Sequence, residues 1–488
     1  MSECDFDKPE IDLDKLVEQA ALPADEFLYR LLSESEQQLS RPDPSGEYAI
    51  SEVLACTLRD RMRFADHRGK WMLYNDGIWQ PITDSQAAEI AVSAAEAYFL
   101  REIAVAASNE QKKHLTKLME SIYRANTIRG ALFFLAGKDG FATRQDAWDA
   151  HPWLLPCRNG VLDLKSLHHL RPHSPDLLFT KCFNADYNPQ ASCAKWKAHI
   201  DRFLPDPEVQ RHVQRSLGMA LVGKALDEKL EIWWGNQGGN GKSTTIEALM
   251  RIFGDFATMA APDLLVQSRF EPHPTRLADL AGRRLVFAVE NDDGKKLAEG
   301  MVKFLTGDGK QKARFMHRDF FEFEQTFDLF LITNHRPRIM GQDNAIWRRI
   351  RIVPFEVVID PAERRPRETV VDELVAEADG ILNWLLDGLF DWQVDNWWIA
   401  PTVKAATDEY RAEQDRIGGF IADCCEMGQF YTVDKGRLYD EYCRWCQGNG
   451  EDAVGKKTFG DWLKARGIGE IRQNKGRKWL GIRLLPTE

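Results

Sequence analysis

The segment Trp234-Gly-Asn-Gln-Gly-Gly-Asn-Gly-Lys-Ser-Thr244 is the most informative part of this 488-residue chain. The apolar run Leu230–Trp234 leads into it and predicts a buried strand, and residues 246–253 have the pattern of a helix. A glycine-rich loop between a strand and a helix, ending in Gly-Lys-Ser, is typical of a phosphate-binding loop. The alternative is a glycine-rich turn that merely precedes Lys-Ser.

The residue types of this loop fit nucleotide binding. Glycines let backbone amides turn inward around an anion, and a helix N-terminus adds partial positive charge. Lys242 is predicted to reach the terminal phosphates of ATP, and Ser243 to bind Mg²⁺. The predicted nucleotide-binding residues are Gly235, Asn236, Gln237, Gly238, Gly239, Asn240, Gly241, Lys242, Ser243 and Thr244.

The loop departs from the usual spacing at one position. Asn236 stands where the usual pattern has glycine, and the glycine of this chain is Gly235, one residue earlier. Asparagine is the non-glycine residue that best tolerates positive φ. We therefore expect Asn236 to replace glycine in a loop that is one residue longer.

A second apolar run, Leu285–Val289, ends in the carboxylate of Glu290. An acid at the carboxyl end of a buried strand lies beside the phosphate loop, so Glu290 is predicted to bind the metal or to activate water. Asn291 follows where many ATPases have a second acid, which leaves Asp292 and Asp293 as alternatives. The non-catalytic interpretation is a surface acid after a core strand.

Two later motifs complete the predicted ATPase. The run Asp328–Thr333 ends at Asn334, whose amide is suited to position the lytic water and to sense the γ-phosphate. Arg348 and Arg349 follow, and an arginine supplied to a neighbouring subunit stabilises charge during phosphoryl transfer. Hydrolysis would then depend on a ring. A loop-capping asparagine and a pair of surface arginines are the alternatives.

Two basic segments predict contacts with DNA. Residues 310–318 place cations around an aromatic side chain, which suits a loop that follows a single strand. Residues 456–483 predict a helix followed by a basic hairpin, as in a winged helix. A solvated hairpin and a protein-contact module are the alternatives. The predicted DNA-binding residues are Lys310, Lys312, Arg314, His317, Arg318, Lys475, Arg477 and Lys478.

Charge is distributed unevenly along the chain. The net charge is −11, but residues 1–50 hold 13 acidic and 4 basic residues, whereas residues 435–483 hold 12 basic and 6 acidic ones. This asymmetry predicts an acidic tail at one end and an anion-binding surface at the other. No apolar run approaches the ~18 residues that span a bilayer, and no signal-peptide pattern is present. We therefore expect a cytoplasmic protein, with a bacterial host cytosol as the default.

The nine cysteines indicate reduced thiols, because their number is odd and their spacing forms no framework. A zinc site built from Cys424, Cys425, Cys443 and Cys446 is the alternative.

The order of elements predicts an α/β fold. Four dense apolar runs between residues 230 and 355 alternate with helical stretches, as in a parallel sheet buried on both faces. A continuous helix is predicted over residues 370–390. The predicted domains are an acidic, possible partner-binding tail (1–45), an N-terminal α/β domain (46–193), a helical collar (194–227), an ATPase core (228–358), a helical lid (359–400) and a C-terminal α/β domain (401–488).

Together these motifs resemble the superfamily 3 helicases, in the phage and plasmid primase-helicase group that includes the poxvirus primase-helicase. The matching segments are residues 238–243, 284–290, 303–308, 333–337 and 347–350. Residues 159–173 resemble the helicase-associated N-terminal region of that group, and residues 410–446 resemble its winged-helix region. The resemblance covers about residues 46–485.

The resemblance implies an AAA+-type core, a hexameric ring and 3′-to-5′ translocation on single-stranded DNA. The catalytic roles of the family fall on Lys242, Glu290, Asn334, and Arg348 or Arg349. Relatives often carry a primase domain in front, whereas only an acidic segment of about 45 residues precedes the helicase-associated region here. The expectation is a chain that lacks the primase domain and has a separate primase or initiator protein as partner.

The leading interpretation is a replicative DNA helicase of a phage, plasmid or other mobile element. One alternative is an ATP-switched platform, such as a loader or defence ATPase that remodels proteins. It would keep the nucleotide-binding residues without needing the basic loop at 310–318. The other is an origin-binding initiator, which would bind DNA through residues 401–488 and hydrolyse little ATP.

Overall fold

The structure is a computed structural model that describes residues 46–166, 169–267, 274–290, 295–307, 309–314, 320–341, 344–450, 453–473 and 476–486. Some predicted features lie outside these ranges. They are the acidic tail, Asn291, Asp292, Asp293, and the DNA-binding candidates His317, Arg318 and Lys475. The chain divides into two compact units after Trp148. The finer domain limits given above remain predictions.

Within residues 46–148, the described part of the first unit contains four α-helices and a four-stranded sheet in the order β3-β2-β1-β4. Its elements are α1 (Glu47–Leu58), β1 (Met62–Ala65), β2 (Lys70–Asn75), β3 (Ile78–Ile82), α2 (Asp84–Val105), α3 (Asn109–Ile122), α4 (Ala125–Ala136) and β4 (Ala142–Thr143). The β2–β3 turn consists of Asp76 and Gly77, whose φ angles are 48° and 84°. Positive φ at both turn positions matches the twist of a tight hairpin. Thr83 and Gln86 then form a capping box that starts α2.

The second unit begins with a small antiparallel sheet and two helices. They are β5 (Leu154–Cys157), β6 (Gly160–Asp163), β7 (His169–Arg171), α5 (Ala194–Phe203) and α6 (Pro207–Met219). Pro207 occupies the first turn of α6, where its missing amide hydrogen costs nothing, and the Asp206 carboxylate accepts a hydrogen bond from the Glu208 amide. The proline and the aspartate cap therefore start α6 as a helix separate from α5.

A five-stranded, wholly parallel sheet forms the centre of this unit, in the order β14-β8-β13-β10-β9. The elements in chain order are β8 (Leu230–Trp234), α7 (Lys242–Phe253), β9 (Ala257–Met259), α8 (Pro274–Ala278), β10 (Leu285–Glu290), α9 (Glu299–Leu305), β11 (Gln311–Arg314), β12 (Phe320–Phe323), β13 (Asp328–Thr333), α10 (Asn344–Trp347) and β14 (Ile350–Pro354). The four strands predicted from apolar runs are confirmed. β9 has no predicted counterpart because three residues carry no recognisable pattern. β11 and β12 form a separate antiparallel hairpin.

Alternation along the strands sends apolar side chains to both faces of the sheet. Trp233, Phe287, Phe330 and Phe355 pack together on the face that α7 covers, with ring centroids 5.0 to 6.1 Å apart. The opposite face is built from shorter side chains, namely Ile232, Val286, Ala288, Leu329, Leu331 and Ile352. Burial on both faces explains why these strands are continuous apolar runs in the sequence.

The central strands end at the same level. Thr333 on β13 pairs with Glu290 on β10 and with Trp234 on β8. The loops that follow these strands therefore leave one edge of the sheet together, and ligands of open parallel sheets bind at this carboxyl edge.

The remaining elements are α11 (Arg367–Val375), α12 (Ala378–Val394), α13 (Pro401–Glu413), α14 (Arg416–Cys424), β15 (Cys425–Asp434), α15 (Lys435–Gly448), α16 (Lys456–Ala465), β16 (Gly469–Gln473) and β17 (Gly476–Leu484). The single helix predicted over residues 370–390 is wrong, because α11 and α12 are separated at Ala376 and Glu377. The Glu377 carboxylate accepts hydrogen bonds from the amides of Lys195 and Trp196 at 3.1 and 3.0 Å, which fixes the break.

The C-terminal part has its own core under a three-stranded antiparallel sheet, ordered β15-β17-β16. The predicted helix followed by a basic hairpin is observed as α16, β16 and β17. Within the ranges that the structure describes, no helix combines the length and the apolar character needed to cross a membrane.

Candidate active site

The loop between β8 and α7 has the backbone of an anion-binding turn. Gly239 and Gly241 have φ angles of 83° and 78°, a region that side chains other than glycine rarely adopt. A Cβ atom on Gly241 would also meet the ring of Phe203 at 2.5 Å. Asn236 does not have positive φ. The expectation that it replaces glycine is therefore wrong, because the chain makes its left-handed turns at residues 239 and 241.

Asn240 holds the loop together from inside. Its side chain is buried and donates hydrogen bonds to the carbonyl oxygens of Gln237 at 2.8 Å and Phe355 at 3.2 Å. The amide of Ile359 donates to the Gly239 carbonyl at 2.9 Å. The Asn240 side chain thus supports the loop from inside. The sequence motif predicted only that Asn240 contacts the nucleotide.

The structure brings Lys242 and Asn334 together at the carboxyl edge of the sheet. The Lys242 ammonium donates to Asn334 Oδ1 at 3.1 Å and to the Gly235 carbonyl at 3.4 Å. Lys242 is only 4% exposed, and burial lowers its pKa from 10.5 to about 8. The site therefore places a buried, largely desolvated ammonium at the start of α7, beside the glycine-rich loop.

His199, on α5, supports the start of α7 from outside the motif. Its Nε2 lies 2.9 Å from Thr245 Oγ1, and that hydroxyl donates to the Gly241 carbonyl at 3.0 Å. Burial, and then the nearby Arg202, lower the pKa of His199 to about 4. The imidazole is therefore neutral near pH 7. Sequence reasoning missed it because it lies 46 residues before its partner.

A cavity of about 400 Å³ opens beside the loop. Ser243, Thr333, Asn334 and Arg367 line its polar part, and Ile246, Met250, Met259, Val289 and Ile332 line its apolar part. The Arg367 guanidinium lies 3.1 Å from the Ser243 carbonyl oxygen and 2.6 Å from the Glu247 carboxylate. Arg367 is a cation at the cavity that the motifs do not include, although residues 364–367 are visibly basic in the sequence.

Glu290 ends β10 level with Thr333 but does not line this cavity. It is buried beside a smaller cavity with Pro337 and Leu297, and its Oε1 lies 3.9 Å from the Lys295 ammonium. Because side chains alternate along a strand, Glu290 shares a sheet face with Ala288, opposite the face that α7 covers. A role in metal binding or water activation stays a prediction for Glu290.

The two candidate arginines have different surroundings. The side chain of Arg349 is 9% exposed and donates to Thr306 Oγ1 at 3.1 Å, to the Ala345 carbonyl at 2.9 Å and to Glu228 at 2.6 Å. The side chain of Arg348 is 64% exposed and lies 3.0 Å from the same Glu228. Of the two guanidinium groups, that of Arg348 is therefore the one exposed to solvent.

The predicted DNA-binding loop falls on the β11–β12 hairpin, in which Gln311 and Ala313 are buried and Arg314 is half-buried. Lys310 and Lys312 are at the surface, and Lys312 lies 3.5 Å from Glu322 on the paired strand. The Arg314 guanidinium lies 4.9 Å from the centre of the Phe320 ring. A carboxylate and an aromatic ring thus accompany the cations of this hairpin.

In the C-terminal hairpin, Arg477 is exposed and Lys478 is half-buried. Trp479, the next residue on the same strand, is buried in the local core, with the Lys435 ammonium 4.2 Å from its ring centre. It is therefore a core residue and not a stacking platform. Among the described residues, no group of three or more His, Cys, Asp or Glu side chains is arranged to hold a metal ion, and this includes the four cysteines considered for zinc.

Comparison with protein families gives two matches. Residues 51–205 match a family described as D5 N terminal like, and residues 233–349 match a family of unknown function. The second match contains the phosphate loop, Glu290, Asn334 and both candidate arginines.

Curated relatives come from large DNA viruses. The chain is 29% identical over 371 residues to "Putative helicase 184R" of Invertebrate iridescent virus 6, covering 66% of this chain and 37% of that protein. It is 28% identical over 213 residues to "Putative helicase L207/L206" of Acanthamoeba polyphaga mimivirus, covering 42% and 22%. It is 23% identical over 361 residues to "Putative primase C962R" of African swine fever virus (strain Badajoz 1971 Vero-adapted), covering 68% and 37%.

The chain therefore spans between 22% and 37% of the length of these relatives. Among solved structures, the apo form of the NrS-1 C-terminal region (305–718) gives a TM-score of 0.48 at 12% identity, covering 90% of this chain and 100% of that one.

Proposed function

The chain resembles the C-terminal part of the D5-type primase-helicases, as its motifs predict, and on this premise we propose that it is an ATP-hydrolysing, ring-forming DNA helicase. It would translocate along single-stranded DNA during the replication of a mobile element. The observation that carries the proposal is the contact between the Lys242 ammonium and Asn334 Oδ1, 3.1 Å apart at the carboxyl edge of a parallel sheet.

ATP fits the cavity in volume and in chemistry. About 400 Å³ lies within the range of small-molecule sites, ~300–1,000 Å³. Lys242 and the loop amides would hold the phosphates, Ser243 would bind Mg²⁺, and the metal would neutralise phosphate charge. Asn334 already lies against Lys242, so its amide is in position to respond to a terminal phosphate. The parallel core would then be an AAA+-type ATPase.

A ring explains the position of Arg348. Its exposed guanidinium would reach the site of the next subunit, in a hexamer, once it leaves Glu228. The buried Arg349 would instead keep this corner of the subunit rigid through Thr306 and Glu228.

The exposed lysines of the β11–β12 hairpin would follow the phosphates of a single strand in the ring. The C-terminal part would be a winged-helix-like domain that contacts duplex backbone through Arg477 and Lys478. A separate primase or initiator protein remains a candidate partner.

A protein-remodelling ATPase is the second candidate. It is favoured by the Lys312–Glu322 pair, because a carboxylate beside the cation weakens the attraction of the hairpin for phosphates. An origin-binding initiator would share the C-terminal domain but would need little hydrolysis.

ATP hydrolysis by the full chain, with and without single-stranded DNA, separates these candidates. The helicase proposal expects hydrolysis that DNA stimulates and that Lys242→Ala abolishes. Hydrolysis that is insensitive to DNA would favour protein remodelling. Tight DNA binding with little hydrolysis would favour the initiator.

A further inference from the structure

Arg336 connects the candidate hydrolysis site to helix α13. It lies two residues after Asn334, and its guanidinium stands 4.0 Å from the ring centre of Trp234, the last residue of β8. The same guanidinium lies 2.7 and 2.8 Å from the two Glu413 oxygens and 3.5 Å from Glu409. One side chain therefore bridges the ends of two central strands and a helix from the C-terminal part.

Helix α13 also binds the backbone around Arg336. The Tyr410 hydroxyl donates a hydrogen bond to the Pro337 carbonyl, and the amide of Ile339 donates to Gln414 Oε1 at 3.1 Å. Burial raises the pKa of Tyr410 well above its ordinary value, so the hydroxyl stays protonated and remains a donor. The loop after Asn334 is therefore attached at three residues to α13 and to Gln414, which directly follows that helix.

The contacts of Arg336 with α13 bear on hydrolysis because the loop that contains Arg336 begins at Asn334. Asn334 contacts Lys242 directly, and Trp234 immediately precedes Gly235, whose carbonyl accepts from the same ammonium. A shift of Arg336 would move Asn334 relative to the phosphate loop. Displacements of about 1 Å in such a site are enough to reduce turnover by ~100-fold.

Stability alone does not explain this arrangement. The side chains of Glu409 and Glu413 are 65% and 48% exposed, and ion pairs with exposed carboxylates contribute little to the free energy of folding. Yet the Arg336 side chain is 15% exposed and confined between two aromatic rings, those of Trp234 and Tyr410. The ion pairs of Arg336 with Glu409 and Glu413 therefore add little to stability, but they restrict the position of the Arg336 side chain.

We propose that Arg336 is a positioning residue, held by Glu409 and Glu413 of α13, that sets Asn334 against Lys242 for hydrolysis. This inference rests on the proposed function, because it assigns Asn334 to the terminal phosphate. It extends the hydrolysis site to a helix 77 residues farther along the chain.

The test compares the full-length wild type with Glu409→Gln/Glu413→Gln, Arg336→Lys and the matched control Lys404→Gln. Lys404 pairs with Asp408 on the exposed side of the same helix at 2.5 Å, so its loss removes a similar ion pair without touching the loop. We expect the double glutamine variant to lower kcat ~10-fold and to raise KM for ATP, because Asn334 no longer meets the terminal phosphate, whereas Lys242 and the loop amides still bind ADP. Arg336→Lys should keep part of the activity, because an ammonium still pairs with the carboxylates.

A second readout needs no turnover. Affinities for ADP and for a non-hydrolysable ATP analogue are measured on the same variants, and the double variant should lose most of the preference for the triphosphate. Equal kcat and equal preference in the double variant and the control would overturn the inference. So would a thermal unfolding midpoint that falls in step with activity. A wild-type chain that binds neither nucleotide would instead overturn the proposed function, and the inference with it.

Discussion

Nucleotide affinity should fall as the pH rises above about 8, and Lys242 is the reason. Burial lowers the pKa of its ammonium from 10.5 to about 8 in the chain without nucleotide. Phosphates bind the protonated form, so above that pH the site must take up a proton before nucleotide binds. The dissociation constant should then rise ~10-fold per pH unit until the pKa of the bound form is reached. An exposed lysine would leave the affinity constant almost to pH 10.

The same shift affects the stability of the nucleotide-free chain in the opposite direction. Between about pH 8 and 10.5 the unfolded chain holds a proton on Lys242 that the folded chain has lost. The unfolded state therefore binds more protons in this window, and the contribution of Lys242 to the free energy of unfolding rises with pH. Below about pH 8 the folded chain carries the full cost of burying the ammonium.

The assay is a titration with a fluorescent ADP analogue at pH values from about 7 to 9.5. Lys242→Arg is the matched control, because a guanidinium stays protonated throughout this range. The wild type should lose affinity above pH 8, whereas the arginine variant should bind with a constant affinity. A wild-type affinity that does not change with pH, or an equal loss in the arginine variant, would refute the assignment of Lys242 to the phosphates.

Three further predictions concern the support of the site. Asn240→Ala should lower the free energy of unfolding by ~1–3 kcal/mol in urea titrations, since two loop carbonyls lose a buried donor; an unchanged midpoint would contradict its supporting role. The pKa of His199 is about 4, so the unfolded chain binds more protons between that pH and 6.5 and stability is lost as the pH falls through this window. His199→Asn should show a shallower acid loss in thermal unfolding, and an identical pH profile would argue against it. Arg348→Ala should reduce kcat without changing the unfolding midpoint, whereas Arg349→Ala should reduce stability by ~1–3 kcal/mol; a reversed pattern would exchange their roles.

The strands and the phosphate loop are visible in the sequence because their signals are local. Leu230–Trp234 and Asp328–Thr333 are two of the four dense apolar runs, and the loop residues follow the first of them directly. Parallel pairing then brings Asn334 to Lys242, although 92 residues separate them. Sequence order and the rule about strand ends thus identify the edge of the sheet at which both residues lie.

The supporting residues are not visible because their partners are distant and their types are common. His199 meets Thr245 across 46 residues, and Arg336 meets Glu413 across 77. Neither pair has a local pattern. The sequence also does not reveal the break between α11 and α12, because glutamate is common within helices. The break depends on the two backbone amides of α5 that donate to the Glu377 carboxylate.

The motif also does not predict the direction in which the Glu290 side chain points. An acid at the end of a strand identifies the edge of the sheet, but the alternation of side chains decides on which face of the sheet the carboxylate lies. A shift of one residue along the strand places it on the other face. In this chain Val289 lines the large cavity and Glu290 does not.

Strand separation of a forked DNA duplex by the purified chain tests the central claim most directly. The account predicts ATP-dependent release of the labelled strand by the wild type, none by Lys242→Ala, and a strong loss in Arg348→Ala even though that variant still binds nucleotide. Vigorous ATP hydrolysis without any strand release, on forks with either a 3′ or a 5′ single-stranded arm, would contradict it.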